Sequence, residues 1–210
     1  MDFEFSTETS VFYPRFETEL LVEKAIDILL HYKKASHLVH VLDLCTGSGN
    51  IAISLTKYIP LSRIVASDIS DTALRVARAN IARYGVSDRI DVIKSDLFND
   101  LGDGYIDFFD FIITNPPYIS LKEFNSLPKC VKDDPYIALY GGKDGLAFYR
   151  RITKDSAAYL KKDGFLLMEI GCDQAKDITH ILKKTSEFTD IETYKDYAGL
   201  NRIIKAKKNG

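Results

Sequence analysis

Hydrophobic positions along this chain fall into two alternating rhythms. Val39-His40-Val41-Leu42-Asp43-Leu44, Ile64-Val65-Ala66-Ser67, Ile90-Asp91-Val92-Ile93-Lys94, Phe109-Asp110-Phe111-Ile112-Ile113-Thr114 and the run over 165–170 are short, apolar and rich in β-branched and aromatic residues, as buried strands are. Between them the apolar residues return every three or four positions. Residues 18–32, with Leu21, Val22, Ala25, Ile26, Leu29 and Leu30, form a strongly amphipathic helix. Residues 51–55 continue in helical spacing, and 71–84 make a further helix with Asp71 at its start and Gly85 as its stop signal. The pattern also predicts helices over 146–160 and 174–184, and a closing hairpin of 191–197 and 202–207 around Gly199. Residues 120–145 read mostly as a loop. Strands alternating with helices predict a mostly parallel sheet with one antiparallel strand at the end and helices on both faces.

Two junctions in that pattern carry chemistry. After the first strand comes Cys45-Thr46-Gly47-Ser48-Gly49-Asn50, a strand–glycine turn–helix unit. Its glycines permit close approach of a ligand, and the helix start offers unpaired N–H groups. Asp68, about twenty residues on, closes the second strand, where a carboxylate accepts hydrogen bonds from the ribose hydroxyls of an adenosine cofactor. Gly47-x-Gly49-x-x-Ala52 fits both the dinucleotide fingerprint and the looser loop of S-adenosylmethionine enzymes, and the loop alone does not decide between them. For the sulfonium cofactor, the methionine tail lies at the loop with Asp43 below it. Asp96, after the third strand, is placed to accept from an adenine amino group; the plain alternative is a loop carboxylate.

The second junction is Asn115-Pro116-Pro117-Tyr118, directly after the fourth strand. Two prolines stiffen the exit and lack N–H groups. The Asn115 side-chain carbonyl and the Pro116 carbonyl then make a pair of acceptors for both hydrogens of a planar NH2 group, with the ring of Tyr118 against its conjugated system. Asn-Pro is also an ordinary turn starter. No His, Lys or Tyr is grouped with the glycine loop as hydride-transfer machinery.

Together these residues resemble the HemK/PrmC family of glutamine N5-methyltransferases, which modify class 1 peptide-chain release factors. The likeness extends through Tyr13-Pro14-Arg15-Phe16-Glu17-Thr18-Glu19-Leu20, similar to the family's opening signature. It continues in Asp134-Pro135-Tyr136-Ile137-Ala138-Leu139 with Gly141-Gly142-Lys143-Asp144-Gly145, and in the blocks Gly164-Phe165-Leu166-Leu167-Met168-Glu169-Ile170-Gly171 and Lys195-Asp196-Tyr197-Ala198-Gly199-Leu200-Asn201-Arg202. The resemblance implies a Rossmann-like seven-stranded methyltransferase fold and S-adenosyl-L-methionine as cofactor. It places the methionine end at Cys45, Thr46, Gly47, Ser48 and Gly49, the ribose at Asp68 and the adenine at Asp96 and Leu97. Asn115 and Pro116 would grip the substrate amide, with Pro117 and Tyr118 completing the clamp. Cys45 stands where the family often has glycine, Phe16 where it has a second proline, and Asp134 for a common glutamate. The family's helical N-terminal domain is not among these 210 residues, which read as one catalytic domain, 1–210.

Composition narrows the alternatives. With 46% hydrophobic and 28% charged residues the chain can bury a full core. A net charge of −2 weighs against the runner-up, a nucleic-acid adenine N6-methyltransferase using the same clamp; the lysine pairs near 161, 183 and 207 read as solvated charge. A nicotinamide oxidoreductase and an inactive cofactor-binding module are more distant readings. Cys45, Cys130 and Cys172 lack metal-ligand spacing and read as reduced thiols in the cytoplasm. His37-x-x-His40 has no third ligand, so no metal is expected. A monomer without signal peptide or membrane span is expected.

Overall fold

A computed structural model describes residues 11, 16–32, 37–128, 131 and 133–210. Tyr13, Pro14 and Arg15 of the opening signature, the first ten residues and Cys130 lie outside them.

Seven strands form one sheet: β1 (Val39–Leu44), β2 (Ser62–Asp68), β3 (Ile90–Lys94), β4 (Phe109–Thr114), β5 (Leu160–Glu169), β6 (Phe188–Lys195) and β7 (Asn201–Lys208). Their order is β3-β2-β1-β4-β5-β7-β6. The first five run parallel, and β7 lies antiparallel between β5 and β6. The expected single antiparallel strand is therefore the last in sequence and an interior member of the sheet.

Among the described residues the α-helices are α1 (Phe16–Tyr32), α2 (Asn50–Tyr58), α3 (Asp71–Arg83), α4 (Leu121–Ser126), α5 (Tyr136–Leu139), α6 (Ala147–Tyr159) and α7 (Ala175–Thr185). Alternate strand residues feed two cores, as the period of two requires. Val39, Val41 and Phe111 pack with Leu21, Ala25, Ile51, Leu55 and Ile81 of α1, α2 and α3 on one face. Leu42, Leu44 and Ile112 pack with Tyr149, Ile152, Ile178 and Leu182 of α6 and α7 on the other. All six residues of β4 are buried, which explains why its sequence is an unbroken apolar run around one acid. That acid, Asp110, takes an N–H from His40 at 2.9 Å and an ion pair from Lys161 at 3.0 Å. The imidazole of His40 lies against Phe108, at the end of β1 opposite the glycine turn.

Two stretches differ from the sequence expectation. Among the described residues, 120–145 are mostly loop, as expected, but carry two short helices, α4 and α5, that the sequence does not predict. Ser120 accepts from the Glu123 N–H while the Glu123 carboxylate receives the Ser120 N–H at 2.9 Å, a capping box that nucleates α4. Strand β5 begins at Leu160, before the expected Phe165: it is one strand whose register with β4 shifts between Phe109 and Phe111, and Asp163 within it takes φ +63°.

β1 connects toward β2 and β3, whereas β4 connects toward β5. The chain thus changes direction between β1 and β4, and in open α/β sheets ligands bind at the carboxyl ends of the strands at such a switch point. These two strands lead directly into Cys45 and Asn115.

Candidate active site

A cavity of about 320 Å³ opens at that switch point. Its walls include Thr18 from α1; Cys45, Thr46, Gly47 and Ser48 from the turn after β1; and Asp68 from the end of β2. They are completed by Asp96 and Leu97 beyond β3, Asn115, Pro116, Pro117 and Tyr118 after β4, and Ile137 and Leu139 of α5.

The glycine turn is held from below. Asp43 is fully buried, and its Oδ2 accepts from Thr46 Oγ1 at 2.6 Å and from the Ala52 N–H at 3.2 Å. One carboxylate oxygen thereby ties the turn to the first turn of α2. Asp43 and Gly49 are not among the residues lining the cavity; Asp43 braces the loop and Gly49, at φ +81°, caps α2 against Ala77. Gly47, at φ +56°, has nothing within 4 Å of where a Cβ would sit, so the turn leaves open space there. Cys45 adopts φ +59° without being glycine. Burial, followed by the nearby Asp68 carboxylate, pushes its thiol far above the ordinary value.

Asp68 receives the Gly47 N–H on Oδ2 and the Ser70 N–H on Oδ1, each at 2.9 Å. These bonds stabilise its ionised form, yet burial prevails and the carboxyl titrates above its usual range. Asp96 is paired with Arg151 of α6 at 2.8 Å. The guanidinium also lines the cavity, so the acid expected to meet an adenine amino group already has a cationic neighbour.

The clamp is fixed by residues distant in sequence. Asn115 Nδ2 donates to Thr18 Oγ1 at 3.1 Å, and Thr18 Oγ1 donates to Glu169 Oε2 at 3.0 Å. Tyr118 OH approaches Glu169 Oε1 at 3.4 Å. Behind the prolines, Gln174 Nε2 donates to the carbonyls of Tyr118 at 2.9 Å and Gly145 at 3.3 Å, while its Oε1 accepts the Gly171 N–H. A Cβ on Gly141 would stand 2.6 Å from Tyr118 Cα, and one on Gly145 only 2.4 Å from Tyr118 O. The glycine-rich segment after α5 therefore lies directly against the clamp backbone.

Thr18, Glu169, Arg151 and Gln174 have no assigned role in the sequence reading. Thr18, Glu169 and Gln174 fall within or beside its motif blocks, which is the available signal; Arg151 has none.

The donor set suits a sulfonium nucleoside. Carboxylates line the cavity, matching a cationic ligand. Ser48 Oγ is buried beside the turn without a hydrogen-bond partner, a polar group suited to a ligand's polar end.

Comparison with known proteins agrees with this geometry. The family model described as the methyltransferase small domain matches residues 4–128. The release factor glutamine methyltransferase of Clostridium acetobutylicum is 40% identical over 216 residues, covering 100% of this chain and 72% of that protein. Its counterpart in Dictyoglomus turgidum is 40% identical over 209 residues, covering 97% and 70%. Among solved structures, the release-factor-specific protein-(glutamine-N5) methyltransferase of Alicyclobacillus acidocaldarius superposes with a TM-score of 0.57 at 26% identity, covering 99% of this chain and 100% of that one. A methyltransferase from Pyrococcus furiosus shares the fold at a TM-score of 0.67 and 17% identity, over 96% and 89%. The domain and fold imply a methyl donor of the S-adenosylmethionine type. With its fold and a similarity to these enzymes that runs through nearly all of its own residues, the chain is a methyltransferase belonging to the release factor glutamine methyltransferase family.

Proposed function

We propose that this chain transfers a methyl group from S-adenosyl-L-methionine to the side-chain amide nitrogen, N5, of a protein glutamine, in the Gly-Gly-Gln tip of class 1 peptide-chain release factors. The observation that carries the reading is the direction of the Asn115 amide. Its Nδ2 faces Thr18, so Oδ1 is turned away from Thr18 on a residue that lines the cavity. An acceptor there selects a substrate that donates N–H.

The cofactor supplies an electrophilic methyl group on a sulfonium. Thr46, Gly47 and Ser48 hold its methionine end, Asp68 its ribose hydroxyls, and Asp96 with Leu97 its adenine. Asn115 Oδ1 and the Pro116 carbonyl each accept one hydrogen of the glutamine NH2, and the Tyr118 ring packs on the amide plane. An amide nitrogen is a weak nucleophile because its lone pair is delocalised into the carbonyl. Fixing both N–H directions turns that lone pair toward the methyl group and favours the pyramidal nitrogen of the transition state. Orientation of this kind contributes up to about 7 to 11 kcal/mol. The two acceptor oxygens also stabilise positive charge developing on nitrogen; the S–CH3 bond would break as the N–CH3 bond forms, leaving S-adenosyl-L-homocysteine, and the extra proton is lost to water. No strong base is needed.

The test is methyl transfer from radiolabelled S-adenosylmethionine to a release factor carrying Gly-Gly-Gln, with adenine-containing DNA and RNA in parallel. Label at glutamine is the expected result; label in nucleic acid would overturn the reading in favour of an adenine amine as acceptor.

A further inference from the structure

We propose that Thr18 and Glu169 are positioning residues that set the direction of the Asn115 amide, and thereby make the site select N–H donors. The inference rests on the reading of Asn115 as the substrate clamp.

Asparagine presents nearly the same shape whichever way its amide is turned, but the two orientations are chemically opposite. One offers the substrate an acceptor, the other a donor. Packing alone does not choose between them. A hydrogen-bond partner with only one possible role does.

Glu169 fills that role. It closes β5 with 1% of its surface exposed, and its main-chain carbonyl accepts from the buried hydroxyl of Tyr149 at 2.9 Å. As a carboxylate its side chain has acceptors only, with Oε2 facing Thr18 and Oε1 the more distant Tyr118. Thr18 is equally buried, at 3% exposure, and a hydroxyl has a single proton. With that proton given to Glu169 Oε2, Thr18 Oγ1 meets Asn115 as an acceptor. The contact at 3.1 Å is therefore with Nδ2. The opposite orientation would set Oδ1 against the Thr18 oxygen with no proton between them. One acidic side chain on β5 thus fixes a donor–acceptor direction through α1 to the residue after β4. Tyr118, within reach of the same carboxylate, is oriented from the same anchor.

Thr18→Val removes the hydroxyl and keeps the branched shape; Thr18→Ser keeps the hydroxyl. Expected for Thr18→Val is a fall of at least tenfold in kcat toward a Gly-Gly-Gln release factor, with S-adenosylmethionine affinity by calorimetry within about twofold, while Thr18→Ser stays within about threefold of the parent. A purely structural role would instead move the melting temperature and the cofactor affinity together. Glu169→Gln offers Thr18 an NH2 as well as an oxygen and so ends the single direction; its kcat should lie between those of the two threonine variants. Wild-type turnover in Thr18→Val, or equal losses in Val and Ser, would overturn the proposal, and wild-type turnover in Glu169→Gln would remove Glu169 from it. A second readout does not depend on substrate. In 15N-labelled protein the Asn115 side-chain NH2 should exchange with solvent more slowly in the parent and Thr18→Ser than in Thr18→Val. That ordering in a protein that methylates no release factor would uphold the relay and refute the substrate; identical exchange in all three would refute the relay itself.

Discussion

Replacing Asp43 by asparagine should flatten the dependence of folding stability on pH between about pH 4 and pH 7. Asp43 is fully buried, its Oδ2 holds both hydrogen bonds from Thr46 and Ala52, and its Oδ1 has no hydrogen-bond partner. Desolvation is the largest influence and the nearby Asp68 adds to it, so the carboxyl is pushed up from 3.8 to about 7 despite the two hydrogen bonds. A folded-state value above the unfolded one means that the folded protein holds the proton more tightly. The stabilisation from this group is complete below the unfolded value, shrinks as pH rises from about 4, and is gone above about 7. At about 1.36 kcal/mol per pH unit, the full span corresponds to a ceiling of roughly 4 kcal/mol. Between pH 4.5 and 6.5 the same slope allows at most about 2.7 kcal/mol, and an effective change of about 1 to 2.5 kcal/mol is expected. Asparagine keeps one oxygen for both donors and does not titrate. Urea unfolding of the two proteins at pH 4.5, 5.5, 6.5 and 7.5 should therefore show the variant gaining on the parent as pH rises. Contributions from groups that do not interact with Asp43 cancel in the difference. Parallel curves, with the difference constant to within about 0.3 kcal/mol, would refute the assignment of Asp43 as a buried brace that ionises late.

Four other outcomes follow from the geometry. Asn115→Ala should lower methyl transfer by on the order of 10² or more, with cofactor affinity within a few-fold, because one oriented acceptor is lost from the transition state; steady-state kinetics beside calorimetry would show it, and unchanged turnover would remove the clamp. Asp68→Ala should weaken cofactor binding by roughly 1.5 to 3 kcal/mol, the range for hydrogen bonds to a charged group, and calorimetry showing no loss would end its ribose role. Because burial and Asp68 hold the Cys45 thiol protonated, the folded protein should resist iodoacetamide at Cys45 at pH 8 and react there only in denaturant, as peptide mass spectrometry would report. Gly145→Ala forces a side chain into φ +76° and within 2.4 Å of Tyr118 O, so it should destabilise by about 2 to 4 kcal/mol and depress kcat more than cofactor affinity, measured by thermal unfolding and kinetics.

The strands were readable from sequence because burial on both faces leaves them almost wholly apolar, as in β1 and β4, and the helices because one face of each is solvated. The chemistry at the two strand ends was readable for a local reason. Cys45 to Gly49 and Asn115 to Tyr118 are contiguous, and strand polarity brings both to one end of the sheet. What holds them was not readable in the same way. Thr18 is 97 positions from Asn115 and 151 from Glu169, and they meet because α1 packs against β5, beside the end of β4. No periodicity marks a threonine in an amphipathic helix as facing an asparagine. Arg151 was hidden likewise, since a charged residue on α6 reads as solvent-facing until Asp96 is found beside it. The helices in 120–145 were hidden by the segment's prolines and glycines, although Ser120 and Glu123 already spelled the capping box.

The placement of β7 has a kinetic consequence. Asn201–Lys208 follow every other strand in sequence, yet they fill the gap between β5 and β6, and Ile203 joins the same core as Leu21 of α1. Until those eight residues are synthesised, β5 has an unpaired edge, β6 has no neighbour, and part of the apolar face of α1 lacks its cover. Such long-range closure slows folding, because loop entropy is lost before contacts reward it. A nascent chain stopped before Asn201 would hold its glycine turn and clamp sequences without a closed sheet to fix them, so commitment to the native state waits on the final strand.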